Sequence, residues 1–365
     1  MKHGWLRRGL ILLLALGACA GMFFYSRTKP QSKAETLTLW YAETDCEPTA
    51  MENLIARCRK ETGIQIAATA FPDEDSLAAA FDGLTGSTLE RPDLLFCSHI
   101  RAAGLAGAGE LAEIGQALSI PEALSQIRPA IGRTFFPLGS RLPVLLVNTS
   151  LTGATFDSLD ALLTEAGEKP FLGCDCWAEL LYSELAAQGI RLTGLPKQDL
   201  RDAQAVELYN RLALAVLQGG FTARENAAEY VRQGLLPCAV VMSTELAGLS
   251  GEALDVRPLP LPAGAQAQYP AELMGFVLLS GAHADTAEKI FQWLWSGRNA
   301  ENAAEAGLLP FVQSGTAARE GGDLGSRLNA LNGELAIVLL DADEPFAKNR
   351  EGLEQWLRQA LDLLS

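Results

Sequence analysis

The chain has 365 residues, of which 44 are acidic and 29 basic, and its formal net charge is −15. The apolar fraction of 48% and the charged fraction of 20% are those of an ordinary globular protein, which argues against a disordered chain, a collagen and a disulfide miniprotein. The acid excess also argues against a nucleic-acid partner, because a polyanion requires clustered Lys and Arg. The length predicts about two domains.

Residues 1–30 contain five basic side chains and no acidic one, so the rest of the chain carries a net charge of −20. A basic start followed by the uncharged residues 10–25 is typical of an export signal. The run that ends at Cys19 resembles a bacterial lipobox, in which Cys19 would be lipidated after cleavage. Residues 9–25 also reach the lower limit, about 17 residues, of an uncleaved membrane anchor. Either anchor would hold the protein on the extracellular face of the cytoplasmic membrane; free secretion is the third alternative.

Beyond a polar tether at residues 31–36, the hydrophobic periodicity predicts strands that alternate with helices. Strands are predicted at residues 37–41, 64–70, 93–97, 142–148, 171–172, 236–242, 256–261 and 274–279. Helices are predicted at residues 51–62, 75–84, 157–166, 177–188, 200–217, 223–232, 285–295 and 351–364. Thr49 with Glu52 predicts a capping box for the first helix, and Gly63 predicts its C-terminal cap.

The alternation of strands and helices predicts an α/β protein with mainly parallel sheets. No internal repeat is visible, and no breakpoint divides the chain into two consecutive domains. We therefore expect two interwoven lobes that are joined by several crossings of the chain.

The sequence lacks the motifs of common enzymes. Of its three histidines, only His99 and His283 lie beyond the signal, and neither belongs to a metal motif. There is no G-x-S-x-G elbow, H-E-x-x-H helix, P-loop or G-x-G-x-x-G turn. We therefore expect no catalysis, no cofactor and no metal site. Glu43, Asp45 and Glu47 follow the first strand and are interpreted either as a solvated loop or as ligand contacts.

Six cysteines remain if Cys19 is lipidated, and an even number in an exported protein suggests disulfides. A helix separates Cys46 from Cys58 by roughly 15 Å, which is too far for a bond. Cys174 and Cys176 are separated by one residue, which is short for zinc ligands. Small buried residues in a reducing niche are the simpler interpretation, with pairing left open.

Several short motifs, taken in order, are similar to those of one family. They are LTLWY at 37–41, KETGIQI at 60–66, RPDLL at 91–95, LPVLLVNT at 142–149, TFDSLDALL at 155–163, LPLP at 259–262, MGFV at 274–277 and GLLP at 307–310. Their order and spacing resemble the extracellular solute-binding proteins of ABC importers, particularly the sugar-binding family 1.

The resemblance implies a two-lobed, periplasmic-binding-protein-like α/β fold of type II. Its first lobe would comprise residues 37–147 and 276–312, and its second lobe residues 148–275 and 313–365. In such proteins a small-molecule ligand binds between the lobes and favours their closure, and the closed form engages a membrane permease. The implied protein is a monomeric receptor, not an enzyme.

Candidate ligand contacts follow from the expectation that the carboxyl ends of parallel strands face the cleft. The candidates are Trp40, Tyr41, Glu43, Asp45, Ser98, His99, Arg101, Asp175, Trp177, Ser243, Thr244, Glu245, Tyr269, Glu272 and Met274.

Three ligand or partner classes remain open at this point. A sugar or oligosaccharide leads, because Trp40 and Trp177 could stack on a sugar ring while carboxylates bind its hydroxyls. The acidic side chains of Glu43, Asp45 and Glu47 make a cationic solute such as a polyamine the competitor. A signalling or adhesion protein of the same fold is the alternative that needs no permease.

Overall fold

The computed structural model describes residues 36–84, 90–114, 133–167, 169–223, 226–261, 268–279, 283–295, 299–309, 331, 336–341 and 344–364. The predicted export signal, Cys19 and the tether up to residue 35 lie outside these residues. In the described part of the chain, no helix combines the length and the apolar character that crossing a membrane requires.

Eleven strands form within the described residues, and their bounds are close to most of the predicted ones. They are β1 (Thr36–Ala42), β2 (Gln65–Phe71), β3 (Leu94–Ser98), β4 (Phe135–Arg141), β5 (Pro143–Asn148), β6 (Leu172–Cys174), β7 (Phe221–Ala223), β8 (Cys238–Met242), β9 (Leu254–Arg257), β10 (Gln268–Leu278) and β11 (Ala336–Leu339).

The helices of the described residues pack around these strands. They are α1 (Pro48–Thr62), α2 (Glu74–Asp82), α3 (His99–Gly107), α4 (Leu159–Ala166), α5 (Trp177–Ala187), α6 (Pro196–Asp199), α7 (Ala203–Leu217), α8 (Ala227–Arg232), a 3-10 turn (Ser243–Leu246), α9 (Ala284–Trp295), α10 (Asn299–Glu305) and α11 (Pro345–Asp362).

The two ends of α1 compare differently with the prediction. Gly63 caps the helix in the left-handed region, with φ of 76°, and this confirms the predicted C-terminal cap. The predicted capping box is wrong, because the N-cap is Glu47, whose carboxylate accepts a hydrogen bond from the Ala50 amide at 2.8 Å. Pro48 explains the earlier start, since proline favours the first helical position and has no amide to satisfy.

The six-stranded first sheet has β1 between β2 and β3, with β10 on the far side of β3. Strand β1 runs parallel to β2 and β3, whereas β10 runs antiparallel to β3 and β4 and parallel to β11. We call this sheet and its helices the first lobe. Core residues cover both faces of the sheet, and the rings of Phe136 and Phe291 stack at 3.6 Å on one of them.

The five-stranded second sheet has the order β7-β6-β8-β5-β9. Strand β6 is parallel to β7 and β8, but β5 is antiparallel to β8 and β9. We call this sheet and its helices, including α11, the second lobe, since Leu353, Leu357 and Leu361 of α11 belong to its core. The α/β class is confirmed, but both sheets are mixed and not mainly parallel as predicted.

Strand β4 was not predicted, and its residues explain why. Pro137 and Gly139 interrupt the segment, and both residue types are unfavourable inside strands. The two strands β4 and β10 nevertheless pack closely here, with a shift of register between Met274 and Gly275. A Cβ atom on Gly275 would lie 2.4 Å from the Phe136 carbonyl oxygen.

The chain changes sheet at Leu142, which alone separates β4 in the first lobe from β5 in the second. It returns to the first sheet after β9, through β10. The predicted lobe boundaries, after residues 147 and 275, fall within the last residues of β5 and inside β10. The crossing at Leu142 and the return through β10 bring the carboxyl ends of β1, β2, β6 and β8 toward one cavity.

Candidate functional site

A cavity of about 530 Å³ lies between the two lobes. The first lobe contributes residues that directly follow β1 and β2, together with the last residue of β4. The second lobe contributes residues at the ends of β6 and β8 and on α5, α8 and α11. The lining residues are Glu43, Thr44, Asp45, Pro72, Asp73, Glu74, Asp75, Arg141, Asp175, Glu179, Asn226, Met242, Thr244, Glu245, Arg350, Glu351 and Arg358.

Among the described residues, the lining is acidic and contains no aromatic ring. Nine of its side chains are carboxyls and three are guanidiniums. The walls that most often bind sugars have aromatic faces on which a ring can stack, whereas closely spaced carboxylates favour a positively charged ligand. The described cavity is therefore suited to a cation.

Arg141 is the buried cation at the base of the cavity. Its Nη1 donates a hydrogen bond to Asp45 Oδ1 at 2.5 Å. Its Nε and Nη2 both donate to Glu272 Oε2, at 3.0 and 2.7 Å. Because Arg141 ends β4 and Glu272 lies opposite it on β10, these bonds fix the strands at the point where the chain changes lobe.

Asp45 is fully buried in the wall of the cavity. Burial raises its pKa from 3.8 to about 6, although the Arg141 guanidinium lowers the pKa and the Glu74 carboxylate raises it. Asp45 Oδ2 has no hydrogen-bond partner among the described residues. A buried acceptor without a donor is costly, so a ligand N–H group at this position would satisfy it.

Arg350 brings a second cation into the cavity from α11. Its guanidinium is hydrogen-bonded to Glu272 Oε1. It also lies 3.4 Å from the Glu179 carboxylate and 3.9 Å from the Glu74 carboxylate. Arg350 is therefore within ion-pair range of carboxylates from both lobes.

Asp175 and Glu245 form a carboxyl pair at the second-lobe end of the cavity. Burial, and then the Asp175 carboxylate, raise the pKa of Glu245 well above 4.5, and burial raises the pKa of Asp175 as well. The backbone amide of Ala227, at the start of α8, donates to Asp175 Oδ2 at 3.0 Å, but Asp175 Oδ1 has no hydrogen-bond partner among the described residues. A bound cation would offset the repulsion between the two carboxylates.

Two further groups complete this end. Thr244 is 5% exposed, and its Oγ1 has no partner among the described residues. Arg358 donates to the Asp175 carbonyl and, at 2.7 Å, to Glu354. Burial raises the pKa of Glu354 to about 7, although Arg358 lowers it.

Five of the predicted contact residues line this cavity. They follow strand ends, as the prediction requires: Glu43, Asp45, Asp175, Thr244 and Glu245. Glu272 lies just behind the lining, where it binds both Arg141 and Arg350. The assignment of these residues to ligand binding remains a prediction.

The two tryptophans that were candidates for sugar stacking lie in the cores and not in the cavity. Trp40 is 5% exposed and its ring contacts that of Phe71 at 5.0 Å. Trp177 is 1% exposed and its ring contacts that of Phe221 at 4.5 Å. Tyr41 instead borders a separate hollow of about 750 Å³ between α1 and β2. None of the three lines the acidic cavity.

His99 lies where three segments of the first lobe meet. Its Nδ1 accepts a hydrogen bond from the Leu273 amide at 3.1 Å, and its Nε2 is 2.7 Å from the Leu340 carbonyl oxygen. This pattern requires a neutral ring with the proton on Nε2. Burial lowers the pKa of His99 below 6.5, while the two backbone hydrogen bonds raise it.

The remaining candidates also lie outside the lining. Ser98 caps α3, and Arg101 lies 3.9 Å from Glu74. Ser243 is fully buried, and its amide donates to the Leu142 carbonyl at 2.9 Å. The other two have structural contacts as well: the Tyr269 hydroxyl donates to the Leu259 carbonyl at 3.1 Å, and Met274 is buried in the core.

Sequence reasoning missed the other lining residues, among them Arg141 and two groups that follow β2 or lie on α11. Asp73, Glu74 and Asp75 follow β2, so the rule applied to β1 and β6 could have found them. Asp73 is also the N-cap of α2, where its carboxylate accepts from the Ser76 amide at 2.7 Å. The residues of α11 had no such signal, since that helix reaches the cavity from the far end of the chain.

The described residues contain no group of three or more His, Cys, Asp or Glu side chains arranged to hold a metal ion. Their six cysteines are buried and unpaired. Burial raises the pKa of the Cys46 thiol to about 12, which makes it unreactive near neutral pH. The cavity therefore presents carboxyl, guanidinium, hydroxyl and amide groups to a ligand.

No family model matches the sequence, and no curated protein matches it. The fold, however, is similar to those of several solved structures. The GacH receptor of Streptomyces glaucescens, solved unliganded and with acarbose, has a TM-score of 0.70 and 16% identity, over 90% of this chain and 94% of that chain. The chain has the two-lobed fold of periplasmic-binding-protein-like receptors. The fold implied by the sequence motifs is thereby confirmed.

Two other similar structures are of proteins described with solutes other than acarbose. UgpB from Mycobacterium tuberculosis, in complex with glycerophosphocholine, has a TM-score of 0.67 and 16% identity, over 90% of this chain and 98% of that chain. The spermidine/putrescine ABC transporter substrate-binding protein PotD from Streptococcus pneumoniae has a TM-score of 0.61 and 14% identity, over 90% and 99% of the two chains. At these identities the likeness concerns the fold alone.

Proposed function

We propose that the protein is an extracellular solute-binding receptor that delivers a cationic solute to an ABC importer. The acidic cavity between the lobes carries this proposal, because its nine carboxyls exceed its three guanidiniums. The fold shared with GacH, UgpB and PotD supports a receptor role but does not discriminate between ligand classes. A sugar, which the sequence motifs favoured, has no aromatic surface in the described lining on which to stack.

Binding would proceed by closure of the lobes around the solute. Asp45 and Glu43 of the first lobe and Asp175 and Glu245 of the second would contact one molecule from opposite sides. A ligand that bridges both lobes favours the closed state by its differential affinity for that state. The closed receptor would then engage the permease and release the solute unchanged.

A thermal-shift and calorimetric screen tests the ligand class. Putrescine and spermidine should raise the melting temperature, because a ligand that binds only the folded state stabilises it. Maltose should leave the melting temperature unchanged. The opposite result, with a shift from maltose and none from either amine, would overturn the cationic assignment in favour of a sugar.

A pair of matched variants tests the location of the site. Asp175→Asn removes a cavity carboxylate and should weaken amine binding by about ten- to a hundredfold, since the loss of a charged hydrogen-bond acceptor is worth about 1.5–3 kcal/mol. Asp160→Asn removes the same charge from an exposed ion pair with Arg211 and should bind almost as the wild type does. Equal affinities for the two variants would place the site elsewhere.

We also propose that the N-terminal signal tethers the receptor to the membrane through lipidated Cys19. Cys19→Ala removes the thiol that would be acylated, so the mature protein should lose its lipid. Incorporation of a radiolabelled fatty acid measures this directly. A variant that stays in the membrane fraction, with a wild type that takes up no label, would indicate the uncleaved helical anchor instead.

A further inference from the structure

Arg350 occupies a position that an external cation would be expected to fill. Its guanidinium meets carboxylates from three separate elements: Glu272 on β10, Glu74 on α2 and Glu179 on α5. The first two belong to the first lobe and the third to the second. The carboxylates thus surround a positive charge that the protein itself supplies.

The guanidinium reaches this position from the second lobe. Helix α11 is anchored there by Leu353 and Leu357, which are each 1% exposed. Glu74 lies at the start of α2, which packs on β1 and β2 of the first lobe. The Arg350 side chain therefore spans the space between the lobes.

Arg350 makes fewer hydrogen bonds within the described residues than Arg141 does. Arg141 makes three hydrogen bonds of 2.5–3.0 Å to Asp45 and Glu272. Arg350 has a hydrogen bond to Glu272, but its separations from Glu74 and Glu179 are 3.9 and 3.4 Å. Its side chain is 14% exposed, compared with 7% for Arg141. Of the two guanidiniums, Arg350 is the one that is more open to the cavity.

Glu74 is poised to accept a better donor. Arg101, Arg141 and Arg350 all lie 3.9–4.0 Å from its carboxylate, which is beyond hydrogen-bond distance. A primary ammonium is a compact group with three donors, so it could bind a carboxylate that planar guanidiniums reach only from a distance.

The carboxylates beside Arg350 also favour an incoming cation. Glu351, the next residue on α11, lines the cavity together with Glu74 and Asp75 of α2. Burial raises the pKa of Glu351, and the Glu74 and Asp75 carboxylates raise it further. A cation between these carboxylates would offset their mutual repulsion.

We propose that Arg350 is a tethered counter-ion that occupies the carboxylate site shared by the two lobes, and that a cationic solute binds by displacing it from Glu74 and Glu272. This inference rests on the proposed cationic ligand. It makes Arg350 a residue that sets affinity, because every solute must compete with it.

The size of the effect follows from the occupancy of the site. If Arg350 fills the site in nine molecules out of ten, only a tenth of the protein is competent, and the apparent Kd for a solute is about tenfold above its intrinsic value. Removing the guanidinium should restore the intrinsic affinity. Arg350→Met should therefore bind putrescine about tenfold more tightly than the wild type.

Arg358→Met is the matched control, since it also removes one guanidinium from the lining. Arg358 is held by Glu354 and the Asp175 carbonyl, and not by Glu74 or Glu272. Arg358→Met should change the electrostatic field of the cavity to a similar degree, but it leaves Arg350 at Glu74 and Glu272. The gain in putrescine affinity of this variant should therefore be much smaller than that of Arg350→Met. Arg350→Lys keeps a positive charge that still competes for the site, so it should not show the gain in affinity expected of Arg350→Met.

Calorimetry with putrescine on the full chain tests the displacement of Arg350, with the folding of each variant checked by circular dichroism. If the wild type binds and Arg350→Met binds equally or more weakly, the displacement model fails while the proposed function stands. If neither protein binds putrescine, spermidine or another amine, the proposed ligand class fails and the displacement model with it.

A crystal structure with putrescine gives a second readout, which remains valid if Arg350→Met does not fold. The model requires an ammonium at Glu74 and Glu272 and a displaced Arg350 side chain. A complex in which Arg350 keeps its contact with Glu272 would overturn it.

Discussion

Arg141 is the side chain on which the junction between the lobes depends most. It is 6% exposed and joins Asp45 to Glu272. Removing one partner of a buried ionic group leaves the others uncompensated, which typically costs about 3–5 kcal/mol. Arg141→Met should therefore lower the free energy of unfolding by about this amount, as measured by urea denaturation.

Arg57→Met is the control for that measurement. Arg57 pairs with Glu305 at 2.6 Å, but this pair is more exposed, with 24% and 45% of the two side chains accessible. Exposed pairs contribute about 0–1 kcal/mol. Similar losses in the two variants would show that the Arg141 network has no special role in stability.

Asp45 should make stability depend on pH. Its pKa in the folded protein is about 6, above the ordinary 3.8, chiefly because of burial. Since the folded state holds this proton more tightly, the resulting stability is complete below pH 3.8 and is lost as pH rises through 6. Between pH 5 and pH 8 the free energy of unfolding should fall by about 1–2 kcal/mol more in the wild type than in Asp45→Asn.

Taking the difference between two proteins isolates this carboxyl. His99 acts in the opposite direction, because its pKa is lowered by burial, but it contributes equally to the wild type and to the variant. Urea denaturation at each pH supplies the four free energies. Parallel pH profiles for the two proteins would show that Asp45 is ionised at its ordinary pKa.

Some of the residues predicted as ligand contacts line the cavity because their position follows from the chain direction. Asp45 and Asp175 come just after parallel strands, whose carboxyl ends face the cavity. Trp40 lies two residues before the end of β1, and Trp177 begins α5, so each ring packs into a core. The aromatic chemistry of Trp40 and Trp177 suggested a ligand role for both residues. Their side chains, however, point into the cores and not into the cavity.

His99 joins three elements of the first lobe through backbone hydrogen bonds. It lies at the start of α3, and its ring nitrogens contact the Leu273 amide in β10 and the Leu340 carbonyl after β11. His99→Phe keeps a flat ring but leaves both groups without this partner, which costs about 1–3 kcal/mol for each buried group. The free energy of unfolding should fall accordingly.

His283→Phe provides the comparison for this element. His283 is exposed just before α9, and a surface substitution of this kind usually changes stability by at most about 0.5 kcal/mol. The prediction fails if the two variants unfold at the same urea concentration.

At the scale of elements, local pattern identified most strands and helices but not their pairing. Strand β5 follows β4 with only Leu142 between them, so the chain enters the second sheet without a helix and runs antiparallel to β8. Strand β10 likewise runs antiparallel to its neighbour β3. Periodicity reports burial along one segment and carries no information about the direction of its neighbour, so the prediction of mainly parallel sheets failed.

At the scale of the whole molecule, the sequence motifs predicted the two-lobed arrangement correctly but did not determine the class of ligand. The acid excess was visible from composition, but its concentration in one cavity was not. Two of the three cavity arginines, Arg350 and Arg358, come from the terminal helix, and Glu74 comes from the opposite lobe. Only the packed molecule brings these distant segments together, so their charge balance is a property of the tertiary fold.

This charge distribution leads to a prediction about the rate of solute capture. Residues 31–365 carry a net charge of −20, and the cavity lining is acidic. A cleft of one sign attracts the opposite charge over a distance, and salt screens this attraction within about 10 Å at 0.1 M and about 3 Å at 1 M. The association rate constant for spermidine should therefore fall steeply as salt is raised.

Putrescine supplies the comparison, because it carries one positive charge fewer than spermidine near neutral pH and responds to the same field. Stopped-flow measurements in a series of NaCl concentrations should give a steeper decline for spermidine than for putrescine. Dissociation rate constants should change less, since the contacts in the closed cavity are shielded from solvent ions. Association rates that are independent of salt for both amines would mean that the acidic surface does not guide the solute, and that only the buried carboxyls select it.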